Sequence, residues 1–151
     1  MGSSPGAETG AETGAEVGAE VGATRGLMQI GEVAERTGLS LRTVRHYEEV
    51  GLLIPAGRSP GGFRLYTDAA VERLLVIKQM KPLGFALEQM REVLETLGAL
   101  ADPATPVERR HVLQAALADH HGAVAASVEE LRVRLERARA FQQELAARLG
   151  D

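Results

Sequence analysis

The chain has no cysteine and no tryptophan in its 151 residues. Disulfides and thiolate metal sites are therefore excluded. Lysine is nearly absent, with two lysines against fifteen arginines. No apolar run approaches the ~20 residues of a membrane-spanning helix; no membrane partner is expected, and the cytoplasm is the natural location. Enzymatic constellations are missing too. There is no Ser/His/Asp set in a supporting context, no Walker loop and no paired-carboxylate motif, and Gly61-Gly62 is not followed by a helix start that could hold a phosphate. The sequence implies no enzyme and no cofactor.

One sign of charge is also not in excess where it would be informative. The net charge of −4 does not by itself suggest a polyanionic partner. Its distribution is more useful. Residues 1–26 carry four glutamates against one arginine, and residues 27–100 carry nine charges of each sign. Within that neutral stretch, Ser40 to Tyr66 holds Arg42, Arg45, Arg58 and Arg64 against Glu48 and Glu49. The basic patch is local and modest, so non-specific affinity for a polyanion should be weak and strongly salt-dependent.

What is present is concentrated between Met28 and Tyr66. Ile30, Val33 and Ala34 fall at i, i+3, i+4 and predict one helix. Gly38 ends it, because glycine takes the left-handed conformation at little cost. Ser40 is a good N-cap for a second helix over about Leu41 to Val50. Leu41, Val44 and Val50 are expected to turn inward, while Arg42, Thr43, Arg45, His46 and Tyr47 crowd its first two turns. Gly51 closes this helix, and Leu52 and Leu53 pin its end. Short strands at Leu53-Ile54 and Phe63 to Tyr66 would flank the loop Arg58 to Gly62, a plausible hairpin connection. Two helices joined by a tight turn and followed by such a hairpin predict a winged helix-turn-helix. In that shape the N-terminal residues of the second helix reach base edges in the DNA major groove.

These residues carry a family resemblance. Ile30-Gly31-Glu32-Val33-Ala34, Gly38-Leu39-Ser40, Thr43-Val44-Arg45-His46-Tyr47-Glu48, Gly51-Leu52-Leu53, Arg58, Gly62-Phe63-Arg64-Leu65-Tyr66 and Leu83-Gly84-Phe85 stand in order and at the right spacing. The chain resembles the MerR family of bacterial transcription regulators over roughly Met28 to Leu97. The resemblance implies a homodimer on a pseudo-palindromic element of double-stranded promoter DNA. Bending and untwisting of that DNA would let RNA polymerase engage, so the polymerase is an indirect partner. It also implies that Arg42, Thr43 and Tyr47 contact bases or backbone from the recognition helix, and that Arg45 does so or supports the helix. Arg58, Arg64 and Tyr66 would hold phosphates from the wing. His46 stands where the family often has an aromatic, and either contacts a phosphate or is simply packed or solvated. Ala86 stands where a Ser or Thr often caps the fourth helix. Several relatives sense soft metals or redox state through cysteines, a route closed to this chain.

A third helix is predicted from Asp68 to Met80, capped by Thr67 or Asp68 and apolar at Leu74, Leu75, Ile77 and Met80. Pro82 should stop it near Lys81. A fourth, about Leu87 to Leu97, should bury Leu87, Met90, Val93, Leu94 and Leu97. The stretch Gly98 to Pro106 is a break. From Val107 to Leu149 no proline occurs. Val124, Val128, Leu131, Leu135, Ala138, Gln142, Leu145 and Leu149 alternate in spacings of four and three, a heptad seam. A helix with such a seam needs a partner, and the family resemblance implies an antiparallel coiled coil between two subunits; the alternative is a hairpin within one subunit, broken at Gly122. His121 extends the seam and Gln142 interrupts it, and such polar positions can fix register. The expected fold class is thus mainly α, with segments 1–27 as an acidic Gly-Ala-Glu repeat tail, 28–98 as the winged domain, 99–106 as a linker and 107–151 as the dimerisation helix.

Two questions stay open in the sequence. The tail repeats a four-residue unit over residues 6 to 21. It reads as a disordered acidic arm, or as an extension ahead of a true start at Met28. The switch is equally unassigned. His111, His120, His121 and Asp119 are metal-ligand types, but adjacent histidines on a helix point ~100° apart and no metal site is assigned. A small-molecule site beside the Gly98–Pro106 loop is an alternative, and no effector can be named. The competing function is a coiled-coil interaction protein that regulates through a protein partner.

Overall fold

The computed structural model describes residues 26–150. The acidic repeat lies outside the described residues. The chain divides into two compact units, one through Leu75 and one from Val76.

The first unit contains β1 (Met28–Gln29), α1 (Ile30–Thr37), α2 (Leu41–Glu49), β2 (Gly57–Arg58), β3 (Arg64–Tyr66) and the start of α3 (Asp68–Met80). Gly38 ends α1 at φ 69°. Ser40 caps α2, its hydroxyl accepting the Thr43 N–H at 3.1 Å. Val33 of α1 and Val44 of α2 are fully buried, and Leu52, Leu53 and Leu74 complete the core. Thr37 is buried as well, and its hydroxyl donates to the Val33 carbonyl at 2.8 Å, which leaves no orphaned polar atom. At the start of α3 the cap is Thr67, whose hydroxyl accepts the Ala70 N–H.

The sheet differs from the expected hairpin. It has three strands in the order β1-β3-β2, with Met28 opposite Tyr66 and Arg58 opposite Arg64. Leu53-Ile54 is not a strand. The N–H groups of Leu52 and Leu53 both donate to the Tyr47 carbonyl, so this backbone is spent on closing α2. Pro55 has no N–H to offer a ladder, and pairing with β3 starts just after it, where the Ala56 N–H donates to the Leu65 carbonyl. The hairpin tip is closed by Ser59, whose N–H donates to the Phe63 carbonyl and whose own carbonyl accepts from Gly62. Gly62 takes φ 84°, a conformation that favours glycine. Leu41 also departs from expectation: it sits in the first turn of α2 and is 42% exposed, while Val44 and Tyr47 form the inner face.

The second unit holds the end of α3, a 3-10 turn at Lys81–Leu83, α4 (Leu87–Ala101) and α5 (Val107–Leu149). Pro82 lies within the 3-10 turn, and Gly84 reverses the chain at φ 79°. Helix α4 runs four residues beyond the predicted Leu97, through Gly98, and the break shrinks to residues 102–106. Met90, Val93 and Leu94 are buried as expected, whereas Leu87 and Leu97 are 41% and 36% exposed. Helix α4 packs against the first part of α5. The turn between them is fixed by Arg110, which donates to the carbonyls of Leu100, Asp102 and Thr105. Helix α5 continues without interruption across Gly122, and its 43 residues include none that is buried.

Candidate nucleic-acid interface

Helix α2 separates its side chains cleanly. Val44 and Tyr47 go inward, three residues apart, and Arg42, Arg45 and His46 are exposed on the other side. Thr43 is half-buried, its hydroxyl 2.8 Å from the Ser40 hydroxyl, and is thus part of the helix cap. Neither Arg42 nor Arg45 forms an ion pair among the described residues.

The hairpin brings two more arginines to the same unit. Arg58 and Arg64 stand opposite each other across β2 and β3, and the Arg58 guanidinium also reaches the Gly62 carbonyl at 3.4 Å. Arg45, Arg58 and Arg64 line one concavity of about 260 Å³ together with Gln29, Phe63 and Tyr66. Its lining therefore holds three cationic side chains. Guanidinium groups carry planar forks of N–H donors that match phosphate oxygens, and a concave cluster of them strengthens the local field.

Two residues expected to touch nucleic acid are placed elsewhere. Tyr47 is only 3% exposed. Its ring fills the core beneath α2 and meets the His46 ring at a centroid distance of 5.6 Å. Tyr66 is fully buried, and its hydroxyl donates to Glu48. An aromatic in an arginine-rich stretch satisfies the core and the interface equally well by composition; the i, i+3 relation of Val44 and Tyr47 decides for the core.

Glu48 is the residue that sequence reasoning missed. It entered as part of the family motif and as a charge offset against the arginines, with no role assigned. Its carboxylate sits between α2 and β3, accepting from Tyr66 on one oxygen and pairing with the Arg64 Nε at 2.8 Å on the other. Arg64 and Tyr66 are two apart on a strand and so share a face, which is the signal that a single acid on the neighbouring helix can serve both. Burial, then the hydrogen bond to Glu48 and that carboxylate's charge, pushes the Tyr66 hydroxyl up to about 12, against a smaller opposing pull from Arg64 and Arg45.

The histidines of α5 belong to the second unit. His111 and His121 are exposed and His120 is half-buried; among the described residues, no group of three His, Cys, Asp or Glu side chains stands close enough to hold a metal ion. No helix among them is long and apolar enough to cross a membrane.

The fold and its exposed helix define a winged helix-turn-helix protein. The family model of the MerR HTH family regulatory protein matches residues 28–97. The chain is 32% identical over 108 residues to the HTH-type transcriptional regulator CueR of Yersinia pestis, covering 72% of this chain and 76% of CueR. It is 38% identical over 101 residues to the HTH-type transcriptional activator TipA of Streptomyces coelicolor, which covers 67% of this chain but only 39% of TipA. Among solved structures it is similar to HiNmlR, described as a MerR family regulator lacking the sensor domain and bound to promoter DNA. That match has a TM-score of 0.53 and 26% identity, and covers 73% of this chain and 79% of HiNmlR. This chain belongs to the MerR family.

Proposed function

We propose that the protein is a sequence-specific transcription regulator that binds double-stranded promoter DNA as a homodimer. The observation that carries this reading is the convergence of Arg45, Arg58 and Arg64 on one concave surface beside the exposed face of α2. Arg42 and Arg45 would lie in the major groove, with Thr43 holding the helix cap and His46 at the edge. Arg58 and Arg64 would hold phosphates from the hairpin, contacts that set register and carry no sequence code. Tyr47 and Tyr66 support this surface from beneath.

The dimer reading rests on α5. Val128, Leu131, Leu135, Leu145 and Leu149 are 46–88% exposed along one seam, with Val124 half-buried and Ala138 exposed between them. A long helix with an uncovered heptad seam is unstable alone in water, and a second copy supplies the matching seam. Two copies double the basic patch and set the spacing of two half-sites, which predicts a palindromic element. Deformation of the DNA between the half-sites would be part of the action, with RNA polymerase responding to the altered promoter. The same exposed seam also favours a second reading, a coiled-coil protein that regulates through a protein partner.

Selection of binding sites from a random duplex pool tests both. Enrichment of a palindrome by the wild type, and loss of that enrichment with Arg45→Ala, is expected. A folded, dimeric wild type that enriches nothing would overturn the first reading and leave the second.

A further inference from the structure

We infer that Glu48 is a positioning residue that sets the discrimination between specific and non-specific DNA. The inference rests on the DNA-binding reading and deepens it. Glu48 lies in the last turn of α2, and its side chain is 13% exposed. Both carboxylate oxygens are engaged by the same strand: Tyr66 donates to one, and the Arg64 Nε lies 2.8 Å from the other. The helix that would enter the groove and the strand that would follow the phosphates are thereby joined through one anionic group.

Two consequences follow from this geometry. The first concerns orientation. With its Nε edge held by Glu48, the Arg64 guanidinium has its plane fixed, and its two terminal nitrogens remain for a phosphate; the side chain is 48% exposed. A planar fork fixed in advance loses little freedom on forming its hydrogen bonds. The benefit is realised only where the duplex presents a phosphate at the distance from the groove that the α2–β3 spacing dictates. The second concerns charge. Glu48 places one negative charge beside a cluster of three arginines. It offsets part of the attraction that any duplex would feel, whatever its sequence. Glu48 thus lowers the sequence-independent term and sharpens the geometry-dependent one.

The experiment compares affinity for the selected palindrome and for unrelated duplex of equal length, each across a salt series. Glu48→Gln removes the charge, keeps the side-chain shape and leaves one acceptor oxygen for two donors. Its binding to unrelated duplex should strengthen, with the slope of log K against log [salt] steeper by about 0.9 per protomer. The ratio of specific to non-specific affinity should fall about tenfold, the size of one charged hydrogen bond. In an Arg64→Ala background the same substitution should leave the ratio unchanged, because the geometry-dependent part acts through Arg64 and the charge part raises both affinities alike; a general loosening of the fold would lower the ratio in both backgrounds. If Glu48→Gln fails to fold, Glu48→Asp keeps the charge and withdraws its reach, and the ratio should fall again. A folded variant with the wild-type ratio and slope overturns the inference while the DNA-binding reading stands. A wild type that binds no duplex overturns both.

Discussion

Tyr66 connects three properties of the site in one side chain: burial, a hydrogen bond and a neighbouring charge. Its neutral form is the one the fold accommodates. A phenol raised from 10 to about 12 contributes stability that is complete below pH 10 and is lost as pH rises through 12. Alkaline absorbance titration should therefore contain a late-ionising phenol that is missing from Tyr66→Phe. A titration of the folded wild type in which that phenol ionises near 10 would contradict its burial and its contact with Glu48. The arginines of this region were legible in the sequence, because arginine exposed on a short helix and a hairpin tip needs no tertiary knowledge to be noticed. The roles of Tyr47, Tyr66 and Glu48 were not. Each depends on a partner up to 18 residues away, in Glu48 and Tyr66, and the periodicity of one helix does not report on a strand.

Helix ends followed local chemistry closely at the level of elements. Ser40 acts on an N–H three residues on, Gly38 through its own positive φ and Pro82 through its ring just past the helix end, and the boundaries of α1, α2 and α3 fall where those residues put them. The strands were harder. β1 and β2 have two residues each, too few to carry an alternating pattern, and their pairing is set by β3. The start of α4 offers a quantitative check. Ala86 occupies the N-cap with extended φ −71° and ψ 158° and gives no side-chain hydrogen bond. Gln89 compensates in part by accepting the Ala86 N–H at 2.9 Å. Ala86→Ser would add the missing acceptor and is expected to raise stability by about 1 kcal/mol, while Ser40→Ala should lower it by about the same amount. Denaturant melts of the two variants measure this; equal stabilities would mean that neither cap geometry is as described.

For the whole molecule the deciding feature is the uneven cover of α5. Its first part meets α4, and Arg110, Leu113, Ala116, Leu117 and His120 are half-buried there. From Val128 onward every described residue is exposed. Those last 22 residues of the helix would extend about 33 Å at ~1.5 Å per residue. The heptad pattern was readable because it repeats locally; the division of the helix into a covered and an uncovered part was not, since it depends on where α4 ends. A seam of Leu131, Leu135 and Leu145, each 46–50% exposed, is left uncovered by the described residues, and the proposed dimer would bury it. Leu131→Asp with Leu135→Asp puts two charges into that seam and removes its central contacts. On the proposed dimer reading, sedimentation should find a dimer for the wild type and a monomer for this variant. Because half of the basic patch and the half-site spacing are lost together, affinity for a palindrome should fall far more than affinity for unrelated duplex. The winged unit is not touched by either substitution, so its helical signal and the Tyr66 titration should be unchanged. A variant that stays dimeric would mean that the seam is not the contact between copies, and a monomeric variant with full palindrome affinity would separate dimerisation from recognition.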